Sequence, residues 1–367
     1  MGGCVTIRNL RAEGDSVREN MQALVYHGKG KVALEERARP SILDPRDATV
    51  RVTLASICAS DLHIIHGAVP RAREDVVLGH EFVGEVIAVG ERVGKIRVGD
   101  MVAVNCETFC GECFFCRRGF VNNCVTGGWE LGCRIDGGHA EFARIPFADN
   151  CLTVIPDGVT DAAALFIGDI LSSGFFGAEL AEIAPGDTVA VIGSGPVGLC
   201  AMMCARLFGP AAVAAIDVDD HRLDLALRHG LADVVFNPLR DDAEAGLRAM
   251  TEGRGADAVI EAAGGADTFQ TAWKIARPNA SVAVVAMYGK PQTLPLEHMY
   301  GKNLKFKTGG VDAVHCAELM RLVAAGRLDT TPLISHRGPL NDILAAYRLF
   351  GDRGDNCMKW AVTPFER

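Results

Sequence analysis

The apolar run Val189-Ala190-Val191-Ile192 leads directly into Gly193-Ser194-Gly195-Pro196-Val197-Gly198, a G-x-G-x-x-G that opens a helix-forming stretch. This pattern constrains a chain strongly because it belongs at one place, the turn between a parallel strand and its crossover helix. There Gly193 permits the tight turn, Gly195 lets a pyrophosphate approach the backbone, and Gly198 lets helix and strand pack closely. The helix start then offers free N–H groups and a favourable dipole to the phosphates. The next strand ends Ala215-Ile216-Asp217, at the distance where a carboxylate reaches the adenosine ribose hydroxyls. Asp217, with Asp219 beside it, repels a 2′-phosphate and predicts NAD rather than NADP; Arg222 is the nearby cation that partly offsets this repulsion. The expected cofactor-binding set is therefore Gly193, Gly195, Pro196, Val197, Gly198, Asp217 and Arg222, with Val197 against one face of the nicotinamide.

Around this fingerprint the chain changes character near residue 161. Residues 22–56 and 82–104 alternate apolar and polar positions in short runs, and Gly84, Gly90, Gly94 and Gly99 punctuate the second of these, which predicts a compact barrel-like β part. Residues 161–182 read as helical. Strands are then expected at Thr188–Ile192, Val213–Asp217, Asp233–Phe236, Asp257–Glu261 and Ser281–Val285, with helices between them, which means a parallel sheet. The tail adds helices over Ala313–Ala325 and near Leu340–Phe350 and a final strand, Met358–Val362. The fold class is α/β, and the strand Ser281–Val285 is expected to pair across a dimer interface.

The chain has 367 residues and a net charge of −9, and no basic face offsets phosphate repulsion, which argues against nucleic-acid binding. No apolar run is long enough for a membrane span. Residues 1–20 carry charges throughout and no apolar core, so they are not a secretory signal; they read as a disordered extension or the product of an upstream start codon, with the folded part beginning at Met21. Thirteen cysteines, an odd number without a signal, fit reduced thiols in the cytoplasm, several of them on metal.

Cys110, Cys113, Cys116 and Cys124 form C-x2-C-x2-C-x7-C. Four thiolates at such spacing close a tetrahedral shell around zinc with no open position, so this site is structural, a clip for a loop over 105–135 that has little core of its own. A sparser pair lies upstream: Cys58, followed by Ser60, Asp61 and His63, and then His80 before Glu81. Thiolate and imidazole both suit zinc, but two ligands do not make a site. Cys106 reads as a strand cysteine outside the zinc pattern, and Cys133, Cys151, Cys200, Cys204, Cys316 and Cys357 read as small hydrophobes.

Taken together, Gly79-His80-Glu81-x-x-Gly84, the four-cysteine lobe and the glycine fingerprint in this order resemble the zinc-dependent alcohol dehydrogenases of the medium-chain dehydrogenase/reductase superfamily, from about Met21 to the C-terminus. The stretches Gly127-Gly128-Trp129, Ile135-Asp136-Gly137 and Gly168-Asp169-Ile170-Leu171 are most similar to bacterial members with an aspartate zinc ligand. The resemblance implies a GroES-like β-barrel catalytic domain over residues 21–169, a doubly wound Rossmann domain over 170–308, and a return to the catalytic domain over 309–367, with the site in the interdomain cleft. It implies Cys58, His80 and Asp169 as catalytic zinc ligands and Glu81 behind the metal. Asp61 would orient His80, Ser60 would bond the substrate oxygen, and His63 would carry the proton onward. Ser172, Ser173 and Gly174 are expected near the nicotinamide, and residues near His66–Val69, Trp129 and Phe147 on the substrate walls, which favours alcohols over polyols.

The expected activity is the interconversion of small-molecule alcohols and aldehydes or ketones by hydride transfer with NAD, in a homodimer or homotetramer. The alternatives are a sugar-alcohol or threonine dehydrogenase of the same superfamily, a metal-free quinone or enoyl reductase, and a zinc-stapled NAD-binding structural protein. Zinc content separates them: about two per chain for the dehydrogenase, about one for the structural protein, none for the reductase.

Overall fold

The computed structural model describes residues 19–365, and the extension read over 1–20 lies almost wholly outside the described residues. The first strand, Asn20–Tyr26, begins one residue ahead of Met21. It pairs with Val32–Ala38 and with Val76–Val77 in a three-stranded sheet.

A larger sheet runs in the order Leu152–Val154, Met101–Val104, Glu81–Val89, Ala48–Ser56, Lys359–Thr363 and Ile334–Pro339, with Phe142–Ile145 also on the Ala48–Ser56 strand. Ala48–Ser56 is buried on both faces, which its run of Ala, Val and Leu allows, and it is the strand on which the others assemble. Its last residue, Ser56, sits opposite Glu81 and Ala361, so the segments carrying Cys58, Glu81 and the chain end meet at one corner.

The second half is a six-stranded parallel sheet in the order Val234–Phe236, Ala212–Ile216, Thr188–Ile192, Ala256–Glu261, Ala276–Val284, Lys305–Thr308. The two halves of the sheet run outward from the Thr188–Ile192 strand, the doubly wound arrangement whose ligand crevice lies at the strands' carboxyl ends. The strand expected to pair across a dimer interface is interior, hydrogen-bonded to Ala256–Glu261 on one side and Lys305–Thr308 on the other. It has no free edge, so that expectation is wrong; the edge is Lys305–Thr308, a short charged strand absent from the sequence reading.

Residues 161–182 are also not one helix. Asp161–Ala164 ends, and a second helix, Ile170–Leu180, starts after Asp169, whose φ of −136° and ψ of −90° break the helical path. That second helix packs against Pro196–Ala205 through Gly174, where a Cβ would come within 2.5 Å of the Cys200 backbone. The largest apolar core joins Leu54, Val83 and Ala103 of the β part to Ile170, Val189 and Leu199 of the parallel-sheet part. The cleft between the two parts therefore has a packed apolar floor.

Candidate active site and metal centres

Cys58 precedes the short helix Ala59–Ile65 and is its N-cap; its backbone N–H donates to the Asp61 carboxylate (2.9 Å). The cap turns the Cys58 thiol toward His80, which stands at the start of the Glu81–Val89 strand. Asp169 reaches the same point from the helix break. Its Oδ2 lies 3.2 Å from His80 Nε2 and 3.5 Å from Cys58 Sγ. One donor atom from each of the three falls within 4.8 Å of the others, and all three residues are buried. The set of soft thiolate, imidazole and carboxylate suits zinc and supplies three ligands, leaving a fourth position open.

The electrostatics fit an ion at this point. Burial pushes the Cys58 thiol up, and it disfavours a charged His80, yet Asp61 and Asp169 outweigh that and hold the metal-free imidazole protonated. A divalent cation resolves both by taking the place of the proton and pairing the thiolate. Asp61 is fully buried, with Oδ1 3.2 Å from His80 Nδ1. Burial opposes its ionisation, but His80 holds its carboxyl down at about 2. A carboxylate at that nitrogen fixes the ring so that Nε2 faces the metal position.

The second cluster closes on itself. One Sγ from each of Cys110, Cys113, Cys116 and Cys124 lies within 4.8 Å of the rest. Backbone N–H groups point at the sulfurs, Cys110 to Cys124 (3.4 Å) and Cys116 to Cys113 (3.5 Å). The Cys116 amide and its neighbours pull Cys113 down to about 6, whereas burial and Cys113 push Cys116 up to about 12. Four sulfurs this close cannot all ionise alone, so the donor set fits zinc with no place for a substrate.

The glycine loop faces the same cleft. Gly193 adopts φ +94°, and a Cβ on Gly198 would strike the Gly193 carbonyl at 1.8 Å, so both must be glycine. A Cβ on Gly195 would meet only Arg222 Nη1, 3.6 Å away, which leaves a cradle with a cation at its rim. Asp217 closes the loop by accepting from Ser194 N–H (2.6 Å) and Asp219 N–H (3.0 Å). Arg222 Nε lies 3.4 Å from Asp219 Oδ2, so part of its charge is already matched.

A cleft of about 250 Å3 joins these parts; Cys58, Ser60, His63, His80, Asp169 and Val197 all line it. Ser60 Oγ is 3.8 Å from Cys58 Sγ. Ser173 lines the cleft, but Ser172 is buried with its hydroxyl donated to the Ile167 carbonyl (2.6 Å), and Gly174 serves helix packing. Of the expected substrate walls Trp129 is present, 5.5 Å from the His80 ring, while His66, Val69 and Phe147 lie elsewhere. Cys106 lines the cleft rather than filling a strand.

Several groups here escaped sequence reasoning. Lys359, in the last strand, is buried and pairs through its ammonium with Glu81 and the Ile57 carbonyl (3.1 Å). Burial pushes Glu81 up to about 7; burial also opposes the Lys359 charge, but Cys58, Glu81 and Asp169 outweigh this and hold the ammonium protonated. Behind Asp61, His139 Nε2 faces the Ser56 carbonyl (3.1 Å), which can only accept, so the Tyr347 hydroxyl donates to His139 Nδ1 (3.0 Å). Glu107, also on the cleft wall, is buried. No local motif marks any of them, because each meets its partner only through the fold.

Known proteins match over the same regions. Residues 44–157 match the alcohol dehydrogenase GroES-like domain family, and residues 196–324 the zinc-binding dehydrogenase family. The chain is 36% identical to an alcohol dehydrogenase of Cupriavidus necator over 371 aligned positions, covering 94% of this chain and 99% of that protein. It is 35% identical to an NADP-dependent isopropanol dehydrogenase of Thermoanaerobacter brockii, covering 91% and 97%. The structure of an alcohol dehydrogenase from Thermus sp. ATN1 superposes with a TM-score of 0.87 at 36% identity, over 94% of this chain and 99% of that one.

Proposed function

This chain belongs to the zinc-dependent alcohol dehydrogenases of the medium-chain dehydrogenase/reductase superfamily, oxidoreductases of alcohols and carbonyl compounds that work with zinc and a nicotinamide cofactor, and from that premise we propose that Cys58, His80 and Asp169 hold its catalytic zinc and that NAD carries the hydride. One observation carries the site: three donors from separate segments converge within 4.8 Å on the floor of a cleft that the glycine loop also faces. Zinc there supplies Lewis-acid stabilisation of negative charge on the substrate oxygen, and the nicotinamide takes or gives hydride.

The chain's own groups do the rest. Ser60 lines the cleft beside Cys58, and its hydroxyl takes the alcohol proton as it passes its own onward. His63 is half-buried on the same helix, and burial together with His66 lowers its pKa, so it is neutral and able to receive that proton and release it to solvent. Asp61 keeps His80 in the ligating tautomer. Glu81, paired with Lys359, sits behind the metal position. Cys110, Cys113, Cys116 and Cys124 hold a second, structural zinc.

The preference for NAD rests on Asp217 and Asp219 at the ribose end of the loop, against which Arg222 is already engaged by Asp219. A homo-oligomer built on the Lys305–Thr308 edge and a cytoplasmic location complete the proposal. In support of the latter, the described cysteines are all free thiols, and no helix of the described residues is long and apolar enough to cross a membrane. The test is a panel of alcohols, aldehydes and ketones assayed on zinc-replete protein with NAD(H) and NADP(H), beside Cys58→Ser. Turnover with NAD that disappears in the folded Cys58→Ser variant is expected; near wild-type turnover in that variant overturns the ligand assignment, and preference for NADP overturns the cofactor assignment.

A further inference from the structure

The wall of the cleft beside Trp129 carries a carboxyl group that the chemistry above leaves unused. Glu107 lies in a two-residue strand, Glu107–Thr108, and pairs with Trp129 across the Gly128–Trp129 strand. Its backbone N–H donates to Asn105 Oδ1 (2.9 Å), and Asn105 Nδ2 in turn donates to the Ala313 carbonyl (2.6 Å). The backbone that carries the side chain is therefore fixed from two sides. Glu107 is only 6% exposed, lines the same cleft as Ser60 and His80, and its Oε2 has no hydrogen-bond partner.

A buried carboxyl without a partner is costly, so structural carboxylates are normally satisfied within the protein. Glu107 shares its lack of a hydrogen-bond partner with the Trp129 indole N–H on the same wall and with carboxylate oxygens of Asp61, Glu81 and Glu261 elsewhere, but of these carboxylates it is the one that lines the cleft, where an entering molecule can supply the partner. Burial pushes its carboxyl up to about 8; Arg71 opposes this, and Asp169 and Asp312 add to it. In either protonation state the carboxyl accepts from a hydroxyl, and where it carries a proton the hydroxyl can accept in return, so a hydroxyl is its complement. The same cleft is also lined by Ala263, Val285 and Met287, apolar side chains that suit a short carbon chain.

We infer that Glu107 is a specificity-determining residue that hydrogen-bonds a second hydroxyl of the substrate, so that small diols and the matching hydroxy-carbonyl compounds are preferred over simple alcohols. This rests on the alcohol dehydrogenase reading of the cleft. It narrows the expectation, drawn from partly bulky or apolar walls, that alcohols are favoured over highly hydroxylated polyols.

The experiment measures kcat/KM on zinc-replete full-length protein for matched pairs, butane-2,3-diol against butan-2-ol and propane-1,3-diol against propan-1-ol, in wild type, Glu107→Leu, Glu107→Ala and Glu107→Gln. The diol-to-alcohol ratio is expected to fall about tenfold or more in the leucine and alanine variants, the worth of one hydrogen bond to a buried group. The glutamine variant, which keeps a donor and an acceptor, retains most of it. If Glu107→Leu does not fold, Glu107→Ala carries the comparison. A ratio that moves less than about threefold in both, against about tenfold for one such bond, overturns the inference, as does a wild-type preference for 1-aminopropan-2-ol over the diols. Wild-type protein inactive on every compound would instead overturn the alcohol dehydrogenase reading itself, so the two failures are told apart.

Discussion

The buried pair between Lys359 and Glu81 offers the sharpest test of how the chain end supports the site. Lys359 is 1% exposed; its ammonium meets Glu81 and the Ile57 carbonyl and lies 5.4 Å from the Phe166 ring centroid. Lys359→Met keeps a stem of similar length and removes the charge. Glu81, fully buried and already with an unpartnered Oε1, then loses its counter-ion. Unit charges about 4 Å apart interact by about 4 kcal/mol at an effective dielectric of about 20, and stranding one member of a buried pair costs about 3–5 kcal/mol. Glu81 has a partial escape, because burial already pushes its carboxyl up to about 7 and taking a proton relieves it. The lower end, about 3 kcal/mol, is therefore expected at neutral pH. Equilibrium urea unfolding of zinc-replete protein reads this as a lower midpoint. The double variant Glu81→Leu/Lys359→Met, which removes both charges, should recover most of the loss. A loss below about 1 kcal/mol in Lys359→Met, or a double variant whose loss equals the sum of the singles, refutes the reasoning.

Three further outcomes follow from the geometry. Cys113→Ser opens the four-sulfur cluster and should reduce bound zinc from about two to about one per chain while lowering the melting temperature; unchanged zinc content by atomic emission would contradict a structural site there. Asp217→Ala removes the carboxylate that closes the glycine loop, and the NAD-over-NADP ratio in kcat/KM should drop about tenfold or more; an unmoved ratio would remove Asp217 from cofactor choice. Glu182, hydrogen-bonded to Lys305, Lys307 and Ser281, has its carboxyl held at about 2 by those partners, below its ordinary 4.5. Its stabilisation is thus fully present above about pH 4.5 and lost as pH falls toward about 2, so the gap in urea midpoint between wild type and Glu182→Gln should shrink over that window; a gap independent of pH refutes the pairing.

What could be read from the residues alone is local. The glycine fingerprint lay legible within one strand and one helix start: its first glycine is required by its own positive φ and its third by the carbonyl of the first. The four-cysteine cluster was legible for the same reason, since its ligands span 110–124 and the loop needs only to fold on itself. The parallel order of the second half followed from alternating strands and helices, although the edge strand Lys305–Thr308 escaped because two lysines mask its short apolar content. The catalytic centre is of another kind. Cys58 and Asp169 are 111 positions apart, Glu81 and Lys359 278, and His139 and Tyr347 208. No periodicity encodes such pairs; Asp169 was reached only through resemblance, and Lys359, Tyr347 and Glu107 not at all. Their positions were decided by a helix that breaks at Asp169, a last strand that pairs beside Ser56, and a small hairpin that buries Glu107 against Trp129. The chain wrote its cofactor loop and its structural clip into short spacings because those sites fold on themselves, whereas the open centre had to be assembled by the tertiary structure, since a position left free for substrate needs walls from parts of the chain that are far apart.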